Sequence, residues 1–206
     1  MQIRISPDKM RDIAGEQQTL MNDVEKSSTV LDEVENRLRE AWVGVAGEQM
    51  LSIVQTCQRG TQELSEELGE SAQELTQIAQ AFEAVDTLST APLGFLNRKP
   101  GFIPIKPMIL DFIFAQAGEI RILPEEVRQV AVLCRRESDK LSETKQMFRV
   151  TINKLRDIWE GNACNKYMDT IEDVLKAFDE VTESLEEMAE KMVMASNRYE
   201  EVDNIF

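Results

Sequence analysis

Three cysteines, a scatter of acidic pairs and the absence of histidine set the scope of covalent or acid–base chemistry in this 206-residue chain. Without histidine, imidazole-based triads, imidazole general acid–base catalysis and imidazole metal sites are excluded. Cys57, Cys134 and Cys164 have no CxxC spacing, so neither a disulfide framework nor a zinc site is encoded. Cys57 falls on an apolar helical seam, where burial makes a thiol inert, and neither Cys134 nor Cys164 has a glycine-rich loop or an obvious base nearby. The carboxylate pairs Glu66-Glu67, Glu172-Asp173 and Glu186-Glu187 are sequence neighbours on helices, so their side chains diverge and suit solvent rather than a shared metal or proton. No glycine-rich phosphate cradle is present. The expectation is a protein that is not an enzyme, with no cofactor and no metal.

What the sequence does contain is a repeat. Its two tryptophans occupy one frame, Trp42-Val43-Gly44 and Trp159-Glu160-Gly161, separated by 117 positions. The same offset carries Ile3-Arg4-Ile5 onto Ile120-Arg121-Ile122, Pro7 onto Pro124, Arg11 onto Arg128, Leu38 onto Leu155 and Ala46 onto Ala163. It also carries Glu83-Ala84-Val85-Asp86 onto Glu200-Glu201-Val202-Asp203. An offset that needs no gap indicates a duplicated supersecondary unit that buries a face against its twin.

Each unit reads as two long helices. Ser6-Pro7-Asp8 is a helix start, with a capping hydroxyl, proline at the first helical position and a carboxylate near the positive end of the dipole. Leu123-Pro124-Glu125-Glu126 repeats it without the cap. Apolar residues then recur at alternating spacings of three and four: Met10, Ile13, Leu20, Val24, Leu31, Val34 and Leu38, with Gln17 and Ser27 as polar interruptions. The pattern stops at Trp42-Val43-Gly44 and restarts from Met50 through Ser71 to Phe82 and Val85. The second unit runs from Val127 to Leu155, breaks at Trp159-Glu160-Gly161, and continues from Tyr167 to Tyr199 and Val202. The Trp-x-Gly frame is thus a helix–helix turn. Glycine suits the left-handed conformation that ends a helix, and the indole can close the open end of the seam. Burial of about 150–250 Å² there would stabilise the corner by at most about 4–6 kcal/mol.

The predicted fold class is all-α: two helix-turn-helix hairpins packed antiparallel as an intramolecular four-helix bundle. The organisation expected is a first hairpin over 1–86, a connector over 87–119 rich in proline and apolar residues, and a second hairpin over 120–206, with one shared core. The connector's length bears on topology. A helix from Pro7 to Glu40 is about 50 Å long, and 33 residues can span about 100 Å. Hairpins packed in parallel would need only a few linking residues, whereas antiparallel packing puts Asp86 and Ile120 at opposite poles. The apolar run Met108–Ala115 is expected to lie in a groove of the bundle or to dock a partner.

The net charge of −15 is spread as −10 over residues 1–90, +1 over 91–119 and −6 over 120–206. Nucleic acid is not an expected partner, and direct membrane binding is disfavoured because no basic amphipathic face is present. The amino terminus has no basic region followed by an apolar run, so no cleaved signal peptide is expected.

Two hairpins bent at Trp-x-Gly, in units of about ninety residues, resemble the WXG family of small proteins similar to the early secretory antigenic target of mycobacteria. The resemblance covers both halves and leaves out the connector. Because that family assembles as antiparallel dimers of hairpins, it implies that this chain is such a dimer joined into one polypeptide. It further implies export by type VII secretion without a cleaved leader, with a secretion ATPase and a co-secreted helical protein as partners. The family's export pattern, Tyr-x-x-x-Asp/Glu, falls on Tyr199-Glu200-Glu201-Val202-Asp203. The first half has Phe82 in place of the tyrosine and departs from the pattern.

The resemblance therefore points to Trp42, Gly44, Trp159 and Gly161 as turn residues and to Tyr199 and Asp203 as an export signal, composite with the Trp42 turn. On this reading the protein is a secreted or surface-bound effector, adaptor or secretion partner acting through protein contacts. The alternative is a cytoplasmic helical scaffold or chaperone-like bundle that is never exported. Either is compatible with a monomer or with a dimer formed by hairpin exchange.

Overall fold

The computed structural model describes residues 6–87 and 121–203. Helix α1 spans Pro7–Ala41, a short strand β1 Trp42–Val43, helix α2 Val45–Thr87, strand β2 Arg121–Ile122, helix α3 Pro124–Ile158 and helix α4 Asn162–Asp203. The fold is all-α, as expected. Residues 88–120, with the Met108–Ala115 run of the connector, lie outside the described residues, as do 1–5 and 204–206, while Thr87, the first residue of the expected connector, is the last of α2.

Proline sets the start of both α1 and α3. Pro7 and Pro124 sit in the first turn, where a missing N–H costs nothing and the fixed φ is already helical. Ser6 is at the N-cap, but its hydroxyl makes no capping bond. Its backbone carbonyl does the work by accepting from Met10 N–H at 3.0 Å, as the Leu123 carbonyl does for Val127 N–H.

The seam positions read from the sequence are the buried ones. On α1 these are Met10, Ile13, Leu20, Val24, Leu31, Val34 and Leu38, joined by Gln17 and Ser27. The facing rows of α2, α3 and α4 contribute Val54, Leu64, Leu68, Leu75, Leu141, Phe148, Ile171, Phe178 and Leu185 to the same cluster. Phe148 and Phe178 meet with ring centres 6.5 Å apart, closing the α3–α4 contact.

Both hairpins are antiparallel. Asp32 accepts from Gln58 and Glu35 from Gln55 near one end of the α1–α2 pair, while Arg11 binds Glu83 at the other. The two hairpins are also antiparallel to each other. Early α1 meets late α3, where Glu16 pairs with Lys154 at 2.6 Å and accepts from Thr151 at 2.8 Å. Late α1 meets early α3, where Arg37 reaches Glu126 at 3.1 Å and Gln129 at 2.8 Å. β1 and β2 seal that end in antiparallel register, Trp42 opposite Ile122 and Val43 opposite Arg121. One pole therefore collects the Trp42 corner, the start of α3 and the end of α4.

Candidate functional site

Each Trp-x-Gly corner works through three backbone conformations. Trp42 leaves α1 in extended geometry, φ −139° and ψ 103°, with its N–H still bonded to the Leu38 carbonyl. Gly44 then takes φ +126°, a region that side chains rarely enter. Its carbonyl accepts from Glu48 N–H at 3.0 Å and so opens the next helix. The sequence reading placed glycine at the end of the first helix; it caps the start of the second. Trp159, Gly161 and Asn165 repeat the geometry, with φ −139° at Trp159, φ +127° at Gly161 and a 3.2 Å bond from Asn165 N–H to the Gly161 carbonyl.

The indoles themselves are inside. Trp42 is 4% exposed and Trp159 2% exposed, and Trp159 packs on the Tyr167 ring at 5.8 Å. Burial at the first corner is tight enough to require another glycine that sequence reasoning missed. A Cβ at Gly47 would lie 2.4 Å from the Trp42 carbonyl oxygen and 3.1 Å from its indole. At Gly161, by contrast, a Cβ would meet nothing within 4 Å, so only its φ demands glycine. The available signal was the offset itself, which sets Gly47 against Cys164 and so marks the two corners as packed differently.

The end of α4 is fixed by an ion pair repeated in both halves. Arg128 binds Glu200, and Arg11 binds Glu83 at 2.6 and 2.8 Å. Both pairs obey the 117-residue offset. Hydrogen bonds from arginine hold both carboxyls below the usual carboxylate range. The residue before each glutamate differs. Phe82 packs against the core, whereas Tyr199 is 37% exposed and Val202, one turn on, is more so. The heptad count made Tyr199 a seam position; in the folded chain it stands at the surface. Asp203 closes α4, and its side chain lies outside the described residues. Val43 and Val45 of the Trp42 corner and Leu123 before α3 are exposed at the same pole, so apolar surface surrounds a buried indole there.

A hairpin of two long helices bent at a buried Trp-x-Gly, present twice at a fixed offset, matches a known family over both halves. The WXG100 family, proteins of 100 residues with WXG, matches residues 2–87 and again 119–204. The chain belongs to the WXG100 family. Within it, protein YukE of Bacillus subtilis (strain 168) is 26% identical over 87 residues, which cover 42% of this chain and 90% of YukE. No solved structure matches the chain. Its two WXG100 units make it a tandem, ESAT-like member of the type VII secretion proteins.

Beyond the corners, the three thiols of the WXG100 bundle are buried, and Cys164 among them borders a surface cleft. Burial pushes the Cys57 and Cys134 thiols up to about 12, and it also raises Cys164. Among the described residues no cluster of cysteine and carboxylate groups could hold a metal ion, and no helix is long and apolar enough to cross a membrane. Clefts open on the surface of the described residues. One, of about 450 Å³, lies between α1 and α3 beside Leu20, Met147 and Val150. Another, of about 360 Å³, borders the second corner between Arg156, Trp159, Cys164, Asn165 and Asp169.

Proposed function

We propose that the chain is a type VII secretion substrate exported as an already folded bundle. In this reading residues 1–86 and 120–206 are the two hairpins and 87–119 joins them. The pole built from the Trp42 corner and the end of α4 is the surface recognised by the secretion ATPase, with Tyr199 and Asp203 as its export signal. Outside the cell the protein acts without catalysis, as an adaptor, effector or secretion partner. The observation that carries the proposal is the exposure of Tyr199 where its counterpart Phe82 packs on the core. An aromatic with exposed surface at a helix end is available to a receptor, whereas a partly buried one packed on the core, as Phe82 is, contributes to holding the fold. Trp42 contributes indirectly: it is buried, so it shapes the corner on which Val43 and Val45 stand exposed.

The test is export from a type VII-competent strain and from one lacking the secretion ATPase. Protein should reach the medium only from the first, and Tyr199→Ala should keep it in the cell. Equal retention in both strains overturns the proposal. A second reading, a scaffold that stays in the cytoplasm and binds a partner helix, draws on the α1–α3 cleft with its exposed Met147 and Val150. Export that requires the ATPase excludes that reading.

A further inference from the structure

The bundle's core contains a closed polar ring that joins three helices from both hairpins. The Gln17 amide donates to the Tyr167 hydroxyl at 3.1 Å, and the Ser71 hydroxyl donates to the Gln17 carbonyl oxygen at 3.2 Å. The Tyr167 and Ser71 hydroxyls bond each other. With Tyr167 as the donor in that last contact, every group gives one hydrogen bond and takes one. All three residues are buried. Gln17 is on α1, Ser71 on α2 and Tyr167 on α4, so the ring closes only where the first hairpin meets the second.

The repeat makes a control out of the same molecule. Moving Gln17 and Ser71 forward by 117 gives Cys134 and Met188, and moving Tyr167 back gives Met50, all three buried. The bundle therefore has one polar locus and, at the position related to it by the duplication, one lined with sulfur. We propose that this pair of loci is a pairing code: the face of each hairpin accepts the other hairpin and rejects a second copy of itself.

The argument is a count of polar groups left without partners. Two chains paired as first-with-second hairpin satisfy every ring group. If instead two first hairpins paired, Gln17 and Ser71 would face Met50 at both loci and lose the phenol. If two second hairpins paired, Tyr167 would face Cys134 and Met188 at both loci, with only weak sulfur acceptors. Exchange into like-with-like bundles therefore leaves four defects for every two chains. Burying a polar group without a partner costs far more than a satisfied bond contributes. Tethering already raises the effective concentration of the unlike half, so such a rule matters where chains are crowded and halves that share a fold and a seam can exchange between them.

Removing one hydroxyl should erase the rule. In Tyr167→Phe, two correctly paired chains carry two defective loci, and two like-with-like bundles also carry two. The triple change Gln17→Cys, Ser71→Met, Tyr167→Met copies the sulfur locus into the polar one and leaves no defect in either arrangement. The reverse change, Met50→Tyr, Cys134→Gln, Met188→Ser, builds a second ring and has the same effect. The full-length chain can be tested with one spin label, at Lys26→Cys or Glu143→Cys, both exposed on outer helix faces near the middle of α1 and α3. Cys57 and Cys134 are buried in the core, and Cys164, which lines the cleft at the second corner, is changed to Ala in every labelled chain.

Like-with-like pairing brings the two copies of either label within about 20 Å, two helix diameters; pairing of unlike halves does not, whether within one chain or by exchange between two. After refolding from denaturant at high concentration, the otherwise native chain should give no such distance. Tyr167→Phe should give it for both label sites, with the folding equilibrium weakened roughly tenfold. Whichever symmetrised triple folds should give it with less loss of stability, which separates lost specificity from general weakening. The short distance in the native chain, or its absence in both Tyr167→Phe and the folded triple, overturns the pairing code.

Discussion

At the residue scale, the two glycines of the corners that the frame does not treat alike make different predictions. At Gly47 a Cβ would press on the Trp42 carbonyl, a backbone atom that cannot swing away. Gly47→Ala should therefore cost about 1–3 kcal/mol through overpacking. At Gly161 the space is open and only φ +127° opposes a side chain, so Gly161→Ala should cost about 1–3 kcal/mol, all of it backbone strain. Urea denaturation of the two variants checks both losses, and a loss near zero for Gly47→Ala would mean that packing at the first corner is slack. Tyr199→Ala belongs at this scale too. Since the side chain is 37% exposed, its removal should lower the urea midpoint less than removal of the fully buried Phe178 would, and an export defect in a variant that stays folded is then one of recognition. Residue types told much of this in advance. Burial of both indoles followed from their frame and the interrupted seam. Gly47 did not, because its role depends on a distance to a carbonyl that no periodicity encodes. The surface position of Tyr199 was hidden for a related reason: heptad counting assigns a face, and at the end of a bundle a face has fewer neighbours to cover it.

At the element scale, the repeated arginine–glutamate pairs tie the last turns of α2 and α4 to the first turns of α1 and α3. Helix ends fray where packing is thin, so these ties matter most for the pole-forming turns. Both glutamate carboxyls are held below their ordinary values by arginine. A depressed carboxyl contributes stability that is present above its unfolded pKa and is lost as pH falls through the folded one. Arginine stays charged throughout, so the glutamate alone sets the pH window. The comparison to make is wild type against Glu200→Gln. At pH 7 the wild type should melt at the higher temperature, and the difference should vanish once the pH drops well below about 4. A difference that persists at low pH would show that the glutamate acts through packing instead. Helix boundaries at this scale were legible within a residue or two because proline starts and Trp-x-Gly stops are chemically marked. The ion pairs were visible only as unexplained matches at the 117 offset: Arg11 with Arg128 and Glu83 with Glu200.

At the scale of the whole molecule, the antiparallel arrangement follows from contacts that the sequence could only bound. The connector's length permits separated ends; the β1–β2 pairing and the crossing of Glu16 with Lys154 and Arg37 with Glu126 fix the arrangement. What the sequence left out altogether is the ring of Gln17, Ser71 and Tyr167, since Gln17 and Tyr167 are 150 positions apart and hydrogen bonding across such a span has no local signature. The same arrangement makes the two poles chemically unequal, and that inequality can be tested on its own. Spin labels replacing Val43 and Val202, both exposed, sit at one pole, whereas labels replacing Val43 and Glu160 are separated by the length of α1. A 35-residue helix is about 52 Å long, so the second pair should be roughly that far apart and the first pair several-fold closer. A parallel bundle would reverse the two distances. The measurement also decides whether Tyr199 and the Trp42 corner can contact one receptor together, because a single binding surface cannot span the length of the bundle. If the order holds, moving the Tyr199–Asp203 pattern to the opposite pole by Phe82→Tyr should not rescue export of Tyr199→Ala, since Phe82 packs on the core beside a different corner.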